Sequence, residues 1–254
     1  MASPGRTFSL GSGASRTSGA RFAATRWSIV LAAGGEHDAT ATRRALEELI
    51  QAYWFPLYAY VRRQGCQAAA AEDLVQGFLA RLLEKEDLSR VDRSKGRFRS
   101  FLLAAMKNFM ANERARDRAL KRGGGGVRVI ALDAMDAEAR YAVEPADDMT
   151  PERLFDRRWA LAVLDQVLAR LRRDFIDAGN GALFEAIKAC LTPDRGKLSY
   201  AQLARRLGMT EGALKVAVHR MRRRYRDLLR HEIAQTVETP AQVDEEIAYL
   251  LNCL

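Results

Sequence analysis

The chain has 254 residues, of which 48% are hydrophobic, 8% aromatic and 29% charged, ordinary values for a folded chain that exclude a low-complexity disordered sequence and a fibrous repeat. Lys and Arg number 41 against 32 Asp and Glu, a net charge of +9 that favours a polyanionic partner without choosing among DNA, RNA and anionic lipid. No run approaches the roughly 18 apolar residues of a membrane span, and the length allows one or two domains.

Residues 1–26 carry Arg6, Arg16, Arg21 and Arg26, no acid, and many Ser, Gly and Ala without an apolar core segment. This composition is shared with transit peptides, but a flexible basic arm is the simpler reading. Beyond residue 26, Leu, Ala, Arg and Glu dominate while β-branched residues are sparse, so the periodic segments read as helices and the fold class as all-α. The first helix carries Leu46, Leu49, Ile50, Tyr53 and Trp54 on one face, with Pro56 either kinking it or starting its continuation, and Gly65 ending it. A second helix over about 68–85 places Leu74, Val75, Phe78, Leu79, Leu82 and Leu83 in two adjacent stripes. A third opens near Arg97 with Phe98, Phe101, Leu102, Ala105 and Phe109, and runs on after its apolar stripe ends. Between Arg97 and Arg122 stand eight basic residues against Glu113 and Asp117.

Gly123 to Gly126 break the chain, and residues 127–156 hold eight acids against three Arg. This reads as a flexible acidic linker, 123–149, between a first helical domain (27–122) and a second (150–235). The second domain starts at Thr150-Pro151, an N-cap and first-turn pair, and continues with Leu154, Leu161, Leu164, Leu168, Leu171 and Phe175 at helical spacing. Further helices are expected over about 182–191, 199–207 and 210–232, and from the capping-box pattern Thr239-Pro240-Ala241-Gln242 to the end. The last segment, 236–254, is an acidic extension. From Glu232 onward there are five acids and no Lys or Arg, beside an apolar row of Val243, Ile247, Leu250 and Leu254. It could fold back on the last domain, cover the basic helix over about 210–232 or bind a regulator, and packing on the last domain is the favoured reading.

Residues 198–224 have the pattern of a helix-turn-helix. Ser199 stands at the cap of a short helix, Leu203, Ala204 and Leu207 face inward, Gly208 permits a tight turn, and Thr210 caps the next helix. In that second helix Leu214, Val218 and Met221 pack down, which leaves Lys215, His219, Arg220 and Arg223 outward, as a helix entering a major groove requires. Seven basic residues lie between Thr210 and His231. A solvated basic face is the plainer alternative for any single charged helix, but here cap, glycine turn and basic helix coincide in order.

Taken together, Tyr53 to Arg63 (Tyr-Trp-Phe-Pro-Leu-Tyr-Ala-Tyr-Val-Arg-Arg), Ala71 to Phe78, Gly96 to Leu102 and Met106-Lys107-Asn108, with the helix-turn-helix, resemble an extracytoplasmic-function-type RNA polymerase sigma factor over about residues 27–235. The resemblance implies two small helical domains and a protein without catalytic residues or cofactors. Its implied partners are core RNA polymerase, through the clamp helices of the largest subunit and the flap, and promoter DNA, and it leaves room for an anti-sigma or other regulatory protein. Asp73 and Gln76 match the core-docking pattern, while Gly77 stands where an acid is common. For Asp73 alone, a helix-dipole partner is an equally good reading. The third helix corresponds to the part that reads and opens the -10 element. Asn108 and Asn112 suit base edges; Arg97, Arg99, Lys107, Arg114 and Arg116 suit phosphates; and Phe98 and Phe101 are split between base capture and the larger share, core packing. Lys215, His219, Arg220 and Arg223 are the implied -35 contacts, with Val216 and Ala217 replacing the usual Ser and Arg. The acidic linker is implied to thread the polymerase's nucleic-acid channel, a solvated tether being its plain alternative.

Cys66, Cys190 and Cys253 lie far apart in apolar contexts, which points to a reducing, cytoplasmic compartment. His37, His219 and His231 show no metal-ligand spacing. A free-standing helix-turn-helix regulator is the alternative function. A metal-dependent enzyme on nucleic acid would need a carboxylate pair, and Glu72 and Asp73, adjacent on a helix, point in different directions.

Overall fold

The computed structural model describes residues 53–84, 97–119, 134–142, 149–192 and 199–254. The expected basic arm, the start of the first helix (Leu46, Leu49 and Ile50), the four-glycine break and the remainder of the acidic linker lie outside them. Nine α-helices are present among the described residues: α1 (Trp54–Arg63), α2 (Ala68–Glu84), α3 (Phe98–Ala119), α4 (Ala134–Ala142), α5 (Pro151–Asp177), α6 (Gly181–Ile187), α7 (Tyr200–Arg206), α8 (Glu211–Ala234) and α9 (Ala241–Asn252). A short 3₁₀ turn, Lys188–Leu191, follows α6. The only β-type pairing among the described residues is an isolated bridge between Arg97 and Val237, so the expected all-α class holds.

Local chemistry sets the ends of these helices. Thr150 Oγ1 accepts from the Arg153 amide at 3.3 Å and Pro151 occupies the first turn of α5, which uses a position where the missing N–H costs nothing. Thr210 caps α8 in the same way through the Ala213 amide at 3.2 Å. Ser199, expected as a cap, makes no such side-chain bond. Ahead of α9 the amides of Glu238 and Thr239 both donate to Gln242 Oε1 at 3.1 Å, the back-reaching half of a capping box.

Every residue of α1 from Trp54 to Val61 is buried, so this helix is apolar all round and must be enclosed. It packs chiefly on α5, and also on α2 and α4. The 27 residues of α5 span about 40 Å at 1.5 Å per residue, long enough to serve both halves of the chain. Near its start, Trp159 stacks on Tyr53 at 6.0 Å and Phe155 meets Tyr60 edge-on at 6.5 Å; further along, α5 packs on α8 and α6. The buried side chains form one hydrophobic cluster that runs from Tyr53 through Trp159 to Leu250. The two helical blocks expected as separate small domains therefore share a core, because aromatic residues on α1 find their cover on α5.

The stretch expected as a flexible linker contains α4, and α4 is bound to α1. Glu138 accepts from Tyr58 Oη at 2.5 Å and from Arg62 at 2.7 and 3.0 Å, and Arg62 also sits over the Tyr141 ring at 4.9 Å. Hydrogen bonding from Arg62, then from Tyr58, holds the Glu138 carboxyl below the usual glutamate range. Burial, followed by the bond to Glu138, pushes the Tyr58 phenol well above its ordinary value. A carboxyl lowered by folding stabilises the fold above its unfolded pKa and ceases to do so as pH falls through the folded value. Glu138→Gln is therefore expected to cost under about 1 kcal/mol at neutral pH, since the pair is partly exposed, and to reduce the loss of stability on acidification below about pH 4. Urea unfolding of wild type and variant across that range measures both.

Candidate nucleic-acid interface

Two basic surfaces were expected, one on α3 and one on α8, and the structure treats them differently. On α8 the basic residues sort by partner, Arg226 being exposed and, among the described residues, without a tie to a neighbouring helix. Arg222 donates to the Cys190 carbonyl at 2.9 Å, Arg224 pairs with Asp174 at 2.6 Å and Arg230 with Asp244; these hold α8 to its neighbours. Lys215, His219, Arg220 and Arg223 are exposed, away from the buried row Leu214, Val218 and Met221. Among the described residues, His219, Arg220 and Arg223 make no hydrogen bond or ion pair, while Lys215 pairs with Glu211 at 2.8 Å. That hydrogen bond to Glu211 raises the Lys215 ammonium above its ordinary value.

The face is presented by the turn before it. Gly208 has φ +63°, a conformation that costs a residue with a Cβ about 1 kcal/mol or more, and the Met209 amide returns to the Ala204 carbonyl at 2.9 Å. Leu203 and Ala204 on α7 and Leu214, Val218 and Met221 on α8 are buried, so the outward side chains stand on a packed base. Val216 is 49% exposed on this surface.

The α3 surface is largely occupied from within the chain. Arg99 is only 8% exposed. Its Nη1 donates to Asp156 Oδ1 at 2.5 Å and its Nε to Glu246 Oε1 at 3.1 Å; its guanidinium lies 4.1 Å from the centre of the Tyr249 ring and 5.5 Å from that of Trp159. Tyr249 Oη donates to the second oxygen of Asp156 at 2.6 Å. Burial opposes the charge of Arg99, and the carboxylates of Glu246 and Asp156 more than offset it, leaving the guanidinium more basic than usual. Arg97 spans Glu245 at 2.7 Å and Glu246 at 3.0 Å. Lys107 pairs with Glu152 at 2.8 Å, a bond that raises the ammonium and lowers the carboxyl, and Arg116 pairs with Glu113 one turn earlier at 3.0 Å.

The remaining expected residues divide in the same manner. Asn108 and Asn112 are exposed and one helical turn apart. Phe98 is fully buried against Tyr53 at 5.1 Å, and Phe101 packs beside it at 6.3 Å, partly buried. On α2, Asp73 is exposed, but Gln76 is 4% exposed and its amide donates to Glu72 at 3.0 Å. In this conformation Arg99 and Gln76 are therefore interior groups, not surface contacts. The carboxylates that hold the α3 cations, Asp156, Glu245, Glu246 and Glu152, were not singled out from the sequence, nor was Tyr249. A signal did exist: Arg99 is spaced three and then four residues ahead of Leu102, Met106 and Met110, the buried row of α3, so it begins that row. Among the described residues no cluster of His, Cys, Asp and Glu could hold a metal ion, and no helix is long and apolar enough to cross a membrane.

Residues 47–119 match the family model of Sigma-70 region 2. The match covers α1, α2 and α3, with Asp73, Asn108 and Asn112 on them and Arg97 just ahead of α3, and it supports a sigma-70 family factor with a role in promoter recognition and DNA binding. Factors of that family act on core RNA polymerase and promoter DNA in transcription initiation and are in general not enzymes. No curated protein and no solved structure matches the chain.

Removing the Arg99 side chain leaves Asp156 and Glu246 facing one another with one cation fewer. Breaking a buried pair from one side costs about 3–5 kcal/mol, so Arg99→Ala is expected to lower stability by that order, whereas Arg116→Ala, at an exposed pair, is expected to change it by less than about 1 kcal/mol. Denaturant unfolding of the two variants tests the contrast.

Proposed function

We propose that the chain is a sigma factor of the extracytoplasmic-function type, a cytoplasmic and non-catalytic subunit that binds core RNA polymerase and directs promoter-specific initiation. The observation that carries this reading is the match of residues 47–119 to Sigma-70 region 2. In it, α2 docks on the clamp helices of the largest subunit through its exposed face at Asp73. The α3 helix reads and helps to open the -10 element, with Asn108 and Asn112 at base edges and Arg97, Lys107 and Arg116 at phosphates. The α7–turn–α8 unit is a helix-turn-helix that reads the -35 element as duplex, through Lys215, His219, Arg220 and Arg223, with the polymerase flap as its neighbour. The exposure of those four side chains favours this assignment, because a recognition helix needs its polar groups accessible to the groove.

Run-off transcription on a fragmented genomic template, with bacterial core RNA polymerase and with or without the chain, tests the reading. Discrete new start sites sharing upstream elements are expected. No initiation, together with tight duplex binding by the chain alone, would replace it with a free-standing helix-turn-helix regulator. On a promoter found in this way, Arg220→Ala is expected to cost about 1–3 kcal/mol and relax preference at one base pair of the upstream element. A uniform weakening with a smaller salt slope would instead place Arg220 on a phosphate.

A further inference from the structure

We propose that the C-terminal segment 236–252 is an autoinhibitory latch, in which Glu245 and Glu246 occupy the guanidiniums of Arg97 and Arg99 and are displaced by nucleic-acid phosphates when the α3 face binds its target. The inference rests on the reading of that face as a nucleic-acid surface.

The chemistry of the contact is that of a phosphate site filled from inside. A guanidinium fork takes carboxylate and phosphate oxygens in the same bidentate manner. Glu246 is 1% exposed; its Oε1 accepts from Arg99 Nε at 3.1 Å, its Oε2 lies at ion-pair distance, 3.0 Å, from Arg97 Nη1 without a hydrogen bond, and Glu245 takes the other arm of Arg97 at 2.7 Å. Residues 236–252 hold four acids and no Lys or Arg, and one of them, Asp244, pairs with Arg230 of α8.

Stability alone does not account for the arrangement. An apolar side chain in the Arg99 row would fill the position without the desolvation cost of three charged groups, and such replacements are commonly neutral or stabilising. The backbone ties between segment and α3 are also few: the Phe98 amide donates to the Thr236 carbonyl at 2.9 Å, and Arg97 bridges to Val237. The apolar anchors of the helix, Val243 and Leu250, sit on its packed side, and α9 lies against α8 as well as α5. Non-helical residues 235–240 join α8 to α9, with Thr236 and Val237 among them buried. Release of α9 therefore frees Arg97 of Glu245 and Glu246 and Arg99 of Glu246, with Asp156 still beside Arg99, while the α1–α5 contact stays closed.

The test uses the full chain and a fluorescein-labelled single-stranded DNA oligonucleotide of mixed sequence, with affinity read by anisotropy. Asp244→Asn with Glu245→Gln removes two exposed carboxylates of the latch, and Glu246→Gln removes the bridging one; circular dichroism reports whether each variant folds. Asp174→Asn with Glu185→Gln is the control, removing two surface carboxylates that pair with Arg224, Arg172 and Lys188. The latch variants are expected to bind about three- to fivefold more tightly than the control, the range available from an exposed ion pair. An equal gain in the control, or no gain in the folded exposed-site variant, overturns the proposal. Hydrogen exchange gives a second reading: protection at the Phe98 amide and across 236–252 is expected to fall when oligonucleotide is added to wild type, and unchanged or increased protection also overturns it. Run-off transcription by wild type depends on neither result, so failure of the latch and failure of the sigma-factor reading are separately visible.

Discussion

The buried guanidinium of Arg99 ties together parts of the chain that no local rule would join. It belongs to α3, its carboxylate partners come from α5 and α9, and the rings above and below it come from the same two helices. A charge at that depth is tolerable only while both carboxylates and the ring faces remain in place, so the positions of α5 and α9 relative to α3 are coupled. Tyr249 extends the coupling by donating to Asp156, which satisfies the oxygen that Arg99 leaves free.

Around this charged junction the apolar packing is continuous. Tyr53 lies between Phe98 and Trp159, so an aromatic file passes from α3 through the start of α1 to α5. Aromatic side chains bury about 150–250 Å² each, and separating the two halves of the chain would expose several of them at once. The sequence division at the acidic stretch thus marks a change in composition, whereas the physical unit extends across it. None of the rings in this file comes from α9, so the file does not depend on that helix.

The features legible in the sequence were those that depend on near neighbours. The caps at Thr150 and Thr210, the turn at Gly208 and the inward row Leu214, Val218 and Met221 arise from spacings of three and four residues, and they stand in the structure as expected. Helical periodicity says which face is apolar but not what covers it, so the enclosure of α1 by α5 was not visible. Arg99 shows the same limit for charge. An arginine in a basic stretch looks like a phosphate ligand, and only the three-dimensional approach of Asp156 and Glu246, 57 and 147 positions away, identifies it as an interior ion. Ser199 failed as a cap for a smaller reason: the pattern names the residue type, while the bond requires a side-chain direction that the pattern does not contain.

The net charge of +9 takes on a different meaning once the cations are sorted. Arg62, Arg97, Arg99, Lys107, Arg222, Arg224 and Arg230 direct their charge or donors to internal acceptors, and they act as ties. His219, Arg220 and Arg223 on α8, with Asn108 and Asn112 on α3, retain unused donors in water. On the α8 face His219, Arg220 and Arg223 are held by no carboxylate, while Lys215 is paired with Glu211. On α3, Arg114 is exposed, but Arg97, Arg99, Lys107 and Arg116 can take phosphate only by exchanging one set of oxygens for another. The two faces therefore differ in occupancy: His219, Arg220 and Arg223 are accessible, whereas Arg97 is held by carboxylates of α9 and Arg99 by carboxylates of α5 and α9.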